Sequence, residues 1–222
     1  MAAAKTRLEV GSLSTRTPSQ SKMSRYLRPF VSVTRSPAQS PDSTDNPNSR
    51  KGLLIGFGIA VVVFDIVLIL IDQGLEATGG PSILGLEFAG SATRAHQIMA
   101  EWGDHGRYLA RLSLWIDFGF MLSYGTFFAL AGFATRDFAR ERGYRALARA
   151  GVAAPYCAMA AAVFDAAENI VWLLVLGGHG GNVGPPFATA CASFKFLLIG
   201  IAIIYALWGL AVRISSRRHR AR

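Results

Sequence analysis

Residues 53–71 read LLIGFGIAVVVFDIVLILI, an apolar run in which Asp65 is the only charged residue. A membrane-spanning helix needs about 20 consecutive, mostly apolar residues, so this run is long enough to cross a bilayer. Three further runs of low charge reach that length, at residues 108–134, 152–176 and 186–212. They lack the polar stripe at helical spacing that is typical of a helix in a soluble protein. The sequence therefore predicts an all-α fold: a four-helix transmembrane bundle whose first partner is the lipid bilayer.

The composition and the charge pattern support this prediction. Hydrophobic residues make up 51% of the chain and charged residues 17%, below the roughly 25% usual in soluble domains. Most of the basic residues behind the net charge of +9 lie before the first run, between the second and third, and after the fourth. By the positive-inside rule, both termini face the cytoplasm. No basic face with interleaved aromatic residues exists outside the tails, so a nucleic-acid partner is not expected.

The chain divides into three parts. Residues 1–51 form a basic tail rich in Ser, Thr and Pro, a composition typical of disorder. Residues 52–213 form the transmembrane domain, and residues 214–222 form a short basic cytoplasmic tail. The expected location is the cell (inner) membrane, as a multi-pass protein. Because residues 1–50 are rich in Ser and Arg and poor in acids, a transit peptide for an organelle membrane stays open, as do a plain cytosolic tail and a later start at Met23.

The connection between the first two runs carries a short helix. Ser91 is a suitable N-cap, and Gly103 a suitable stop after Trp102. Apolar residues recur at i, i+3, i+4 and i+7 from Ala95 to Trp102. We expect an amphipathic helix in the first outer loop, which either lies on the membrane surface or caps the bundle.

Apart from Arg111 near the outer end of the second run, five ionisable residues interrupt the apolar runs. Counted from the predicted outer helix ends at about 1.5 Å per residue, all of them lie about 10–17 Å below the outer boundary. A charge inside a transmembrane helix is costly, so it normally faces the bundle interior and has a partner. The sequence thus predicts a polar layer in the outer half of the bundle, formed by Asp117, Asp165, Glu168, Lys195 and, as its weakest member, Asp65.

The third run supplies most of this layer. Asp165, Glu168, Asn169 and Trp172 have the spacing that places them on one helix face. Lys195 has no polar neighbour one turn away in its own helix, so its partner comes from another helix, with Glu168 and Asp117 as the alternatives. On the second run, Tyr124 lies two turns from Asp117 on the same face. The candidate ligand-binding residues are therefore Asp117, Tyr124, Asp165, Glu168, Asn169, Trp172 and Lys195.

Three functions stay open for this layer. A polar cavity would bind or transport a small polar, cationic or lipid-soluble ligand with proton coupling, and a transporter of only four helices would need to form a homo-oligomer. Alternatively, the charges only fix helix packing in an accessory subunit. In an enzyme, Asp165 or Glu168 would be the catalytic acid. No metal-ligand spacing or cofactor motif is present, so neither a metal nor a cofactor is expected.

Three strings of the sequence resemble a family of uncharacterised bacterial four-helix integral membrane proteins. They are LEFAGSATRAHQIMAEWG at 86–103, IDFGFMLSYG at 116–125 and FDAAENIVWLL at 164–174. This resemblance covers roughly residues 53–212 and implies a fold but no activity. A looser similarity, at the level of fold alone, is to small four-helix membrane isomerases of the sterol type, whose buried acids stabilise a carbocation. This chain lacks their combination of His and acid within the helices.

Overall fold

A computed structural model describes residues 47–220. Over this range the chain is helical and contains no strand. Five helices follow one another: α1 (Pro47–Glu76), α2 (Ile83–Glu87), α3 (Ala92–Glu141), α4 (Arg145–Leu176) and α5 (Gly184–Arg220). Four of them, all but the short α2, are long and apolar enough to cross a membrane. The all-α prediction with four membrane-length helices is confirmed, whereas most of the predicted tail at 1–51 lies outside the described residues.

Each apolar run lies inside one longer helix. The run at 53–71 sits within α1, and the run at 186–212 sits within α5, which continues to Arg220. The helices extend beyond the runs because hydropathy marks only the part suited to lipid, whereas helical hydrogen bonding continues into polar sequence. Residues 214–220, predicted as part of a cytoplasmic tail, are a continuation of α5.

Short connections make α3, α4 and α5 an antiparallel bundle. Residues 142–144 join α3 to α4, and residues 177–183 join α4 to α5. We call the end of the bundle that carries residues 77–91 and 177–183 the loop end. The opposite end, which we call the basic end, is rich in arginines, among them Arg140, Arg142, Arg145, Arg149, Arg213 and Arg217.

The first helix lies at the edge of the bundle. α1 packs mainly along α3, while α4 makes extensive contacts with both α3 and α5. The approach of α1 to α3 is close at two glycines. A side chain at Gly119 of α3 would collide with the ring of Phe64, and one at Gly58 of α1 would make a tight contact with Phe127. Between residues 53 and 70 the remaining surface of α1 is exposed and, apart from Asp65, apolar, as expected for a lipid-facing helix.

The start of α3 covers the loop end. The side chain of Ser91 accepts a hydrogen bond from the backbone N–H of Arg94, and the helix is interrupted at Gly103, where φ is +61°. Glycine tolerates this left-handed conformation without steric cost. Between these two points, the apolar residues Ala95, Ile98, Met99 and Trp102 are buried against Leu75 of α1 and Trp172 of α4. The segment at 92–102 therefore packs on the ends of the helices.

Candidate functional site

The ammonium group of Lys195 is the centre of a buried cluster of carboxylates. Its Nζ lies 2.8 Å from Oε2 of Glu168, 2.9 Å from Oδ1 of Asp165 and 3.2 Å from Oε2 of Glu87. Lys195 lies on α5, Asp165 and Glu168 on α4, and Glu87 ends α2. All four residues are less than one tenth exposed. One lysine therefore links three helices through its ion pairs.

Asp165 is fully engaged by this network. Its Oδ1 accepts a hydrogen bond from Lys195, and its Oδ2 accepts one of 2.9 Å from the hydroxyl of Tyr124 on α3. The one-turn spacing of Asp165 and Glu168 on α4 directs both carboxylates to the same face, where Lys195 reaches them. Because both carboxylate oxygens of Asp165 have partners, this residue connects α4 to α3 and to α5.

Asp117 belongs to a second, adjoining pair. Its Oδ2 accepts a hydrogen bond of 2.7 Å from Nδ2 of Asn169, and the same amide nitrogen lies 3.3 Å from the backbone oxygen of Leu114. Both partners of Nδ2 are acceptors, which fixes the orientation of the Asn169 amide. In the described part of the chain, no ion pair joins Asp117 to Lys195. Of the two partners expected for Lys195, the structure pairs it with Glu168 and not with Asp117.

Glu87 is the cluster residue that the analysis of the four apolar runs did not include. Its position is held by the backbone around it: the hydroxyl of Thr189 donates a 2.7 Å hydrogen bond to the Glu87 carbonyl and accepts one from the N–H of Gly90. At the other end of α2, Oδ1 of Asp72 accepts a 2.6 Å hydrogen bond from the N–H of Ile83. Burial raises the pKa of Glu87 above its ordinary value, and nearby Lys195 acts in the opposite direction. The signal in the sequence that could have identified Glu87 is its position as the single acid in the otherwise apolar string ILGLEF.

A cavity of about 180 Å³ lies beside the cluster. It is bounded by α1, α2, α3 and α5, with α4 at its floor. Its polar lining comprises Glu87, Ser113, Asp117, Tyr124, Asp165, Asn169 and Lys195, and its apolar lining includes Leu68, Phe120, Phe196 and Ile199. An apolar cavity of about 150 Å³ holds one benzene molecule, so this space accommodates a group of similar size.

The charges around the cavity are unbalanced. Among the described residues, Lys195 is the one base that accompanies Glu87, Asp117, Asp165 and Glu168. Full ionisation would therefore leave three negative charges in a poorly hydrated interior. Such a site must gain protons or a cation to be tolerated. Within residues 47–220 no three acidic, His or Cys side chains are grouped as a metal site. Glu87, Asp165 and Glu168 converge on the lysine ammonium, whereas Asp117 accepts a hydrogen bond from Asn169.

Several buried polar atoms have no partner among the described residues. They include Oε1 of Glu168, Oδ1 of Asn169 and Nε1 of Trp172. Asn169 lines the cavity, whereas Glu168 and Trp172 do not. The free Asn169 oxygen is therefore a buried acceptor beside the cavity.

The structure brings together six of the seven candidate residues. One set of contacts joins Lys195 to Asp165 and Glu168, and Asp165 to Tyr124. The adjoining pair is Asp117 with Asn169. Trp172 is fully buried, but it belongs to the apolar cluster at the loop end. Asp65, the weakest member of the predicted layer, is exposed on α1 and has no polar partner in the described residues. The role of the six residues in binding stays a prediction.

Comparisons of the chain with protein-family models, with curated proteins and with solved structures found no match. The site must therefore be interpreted from its own chemistry.

Proposed function

We propose that this protein binds a small organic cation in the cavity beside Asp117. As in a transporter, the movement of this cation would be coupled to the movement of a proton. The observation that carries the proposal is the state of Asp117 and Asn169. Asp117 lines the cavity and is not used by Lys195, and the Asn169 oxygen beside it is buried and has no donor. A site that offers acceptors and negative charge favours a ligand that brings N–H donors and positive charge.

The size of the cavity narrows the class of ligand. A space of about 180 Å³ is smaller than the roughly 300–1,000 Å³ typical of sites for drug-sized molecules. It fits a primary ammonium group with a few carbon atoms. The surplus of carboxyl groups over basic groups provides places for a proton to reside while the cation is absent, which is the basis for the proposed coupling.

The orientation in the membrane is also part of the proposal. By the positive-inside rule, the arginines of the basic end favour a cytoplasmic location for that end and for both termini. The loop end then faces outward, and the cavity lies in the outer half of the bundle. A cysteine introduced at Asn182, but not one at Arg142, would react with a membrane-impermeant maleimide applied to intact cells; the reverse pattern would overturn this orientation.

Binding is tested with defined probes on the full chain in nanodiscs. Methylammonium, butylammonium and benzylammonium are titrated by calorimetry, with butanol and butanesulfonate as neutral and anionic counterparts. We expect binding of at least one ammonium ion, and a loss of about 10- to 100-fold in Asp117→Asn because a hydrogen bond to a charged group is removed. Asp104→Asn, on the same helix but exposed and paired with neighbouring Arg107, is the matched control and should bind normally.

Proton coupling is tested in liposomes. An inward butylammonium gradient should drive a change of internal pH in vesicles that contain the protein, and Asp117→Asn should abolish it. The absence of Asp117-dependent binding would overturn the proposal and favour the accessory subunit, whose charges only hold helices together. The isomerase-like alternative has less support, because Glu168 does not line the cavity and both oxygens of Asp165 have partners.

A further inference from the structure

The wall of the cavity between α1 and α5 is incomplete. α1 packs mainly along α3, and α5 packs against α4 and α3, but α1 and α5 share no extensive contact. The cavity nevertheless takes its lining from both helices, with Leu68 on α1 and Phe196 and Ile199 on α5. The cavity is partly open, and the lack of extensive contact between α1 and α5 favours an opening between these two apolar helices.

Packed contacts cover the cavity towards both ends of the bundle. Towards the loop end, α2 lies over the cavity, held by the ion pair of Glu87 with Lys195 and by the Thr189 hydrogen bonds. Towards the basic end, Tyr124 packs with Met121 and Leu198 in a buried apolar cluster. A ligand that enters from the aqueous phase would have to displace one of these contacts, whereas one that enters through the gap would not.

Polarity changes from the floor of the cavity to its rim. Asp165 and Asn169 at the floor are buried, whereas Leu84 and Phe196 at the rim are 48% and 42% exposed. An apolar rim around a polar floor matches a molecule with a polar head and an apolar tail. The cavity is too small for a long alkyl chain in addition to the head, so a tail would extend outward between α1 and α5.

Asp65 adds a charge outside this rim. It is exposed, has no polar partner in the described residues, and precedes Leu68 by one helical turn, which places both on the same side of α1. An unpaired acid on the lipid-facing part of a helix is costly and normally marks a functional pathway. The negative charge of Asp65 favours a cationic ligand over a neutral or anionic one.

Building on the proposed function, we infer that the ligand is a single-chain cationic amphiphile that enters from the bilayer between α1 and α5. Its ammonium head reaches Asp117 and the Asn169 oxygen, and its alkyl tail stays in the gap beside Leu68 and Phe196.

The first test varies the length of the ligand and needs no substitution at the rim of the cavity. Methyl-, butyl-, octyl- and dodecylammonium are titrated into the full chain in nanodiscs of zwitterionic lipid, and binding to Asp117→Asn is subtracted as the background from the lipid. Affinity referred to the aqueous concentration should rise by about fourfold for each added methylene that is withdrawn from water. Equal or falling affinity along the series would overturn the inference, although Asp117-dependent binding of methylammonium would leave the proposed function intact. Absence of Asp117-dependent binding for every amine would overturn both.

The second test fills the space between α1 and α5 with a bulky side chain. Leu68→Trp should lower octylammonium affinity at least tenfold and leave methylammonium within about twofold, since only the longer ligand needs room for a tail. Leu70→Trp, on the same helix but 60% exposed, is the matched control and should change neither. Asp65→Asn should slow octylammonium association without altering the fold. Equal effects of Leu68→Trp and Leu70→Trp on octylammonium would contradict entry through this gap.

Discussion

The Nζ atom of Lys195 on α5 lies 2.8 Å from Oε2 of Glu168 on α4, with both side chains almost completely withdrawn from solvent. This pair, together with the contacts of Lys195 to Asp165 and Glu87, holds α2, α4 and α5 together next to the cavity. A buried charge that loses its partner is costly, whereas removal of both charges is often tolerated. The stabilising role of the cluster and its proposed binding role are therefore separable by experiment, because the first depends on Lys195 and the second on Asp117.

Replacement of Lys195 by Met should destabilise the protein strongly. Three carboxyl groups would lose the one cationic partner that they have in the described range 47–220, and loss of one partner of a buried pair costs about 3–5 kcal/mol. The measurement is the thermal unfolding midpoint in detergent, with size-exclusion chromatography to follow aggregation. Lys51→Met is the matched control, since Lys51 is exposed at the start of α1, and it should unfold at the same temperature as the native chain.

A double-mutant cycle then measures the interaction energy between Lys195 and Glu168. Lys195→Met combined with Glu168→Gln should be less destabilised than the sum of the two single variants, because residues in direct contact are not additive. Strict additivity would contradict a direct interaction between the two side chains.

Replacement of Tyr124 by Phe should cost about 1–3 kcal/mol of unfolding free energy. The change removes only the hydroxyl that donates to Asp165 and leaves a buried carboxylate oxygen without a donor. Tyr156→Phe is the matched control on α4, where the side chain is 60% exposed, and it should lie within about 0.5 kcal/mol of the native chain. Equal unfolding midpoints for the two variants would show that the Tyr124 hydrogen bond does not stabilise the bundle.

The raised pKa of Glu87 predicts a pH dependence with a definite sign. Burial makes the folded protein hold the Glu87 proton at a pH where the unfolded chain has released it, against the opposing effect of Lys195 and with Asp165 and Glu168 nearby. The folded state then binds more protons, so this contribution to stability is complete below the ordinary pKa of Glu87 and is lost as the pH rises through the raised value.

Glu87→Gln should remove that contribution. Unfolding midpoints measured between about pH 4 and 8 should fall more steeply with pH in the native chain than in Glu87→Gln, which carries no proton to lose. Glu76→Gln, an exposed acid at the end of α1, should follow the native curve. Parallel curves for the native chain and Glu87→Gln would contradict a raised pKa at this position.

The depth of the polar residues could be predicted because it depends on residue counts along each helix. Asp165, Glu168, Asn169 and Lys195 do meet at one level of the bundle, as expected from their distances to the helix ends. Asp65 was predicted to lie at a similar depth, and yet it is exposed on α1. Depth is a property of one helix, whereas the direction of a side chain around the axis depends on how that helix packs against its neighbours.

The residues of α2 were harder to predict. Glu87 lies in a five-residue helix, too short for periodicity to indicate a face. It reaches Lys195 only because Thr189 and Asp72 fix the backbone on either side of it. Contacts between residues about 100 positions apart in the chain carry no local sequence signal.

The sequence by itself determined that this chain is helical, that four of its helices suit a bilayer, and that acids and one lysine lie inside them. These features follow from the length and polarity of each segment. Only the tertiary structure decided that Lys195 pairs with Glu168, Asp165 and Glu87, that Asp117 instead pairs with Asn169, and that α1 and α5 share no extensive contact. Each additional residue rotates a side chain by about 100° around its helix, so partners are set by the packing of whole helices, which no single segment encodes.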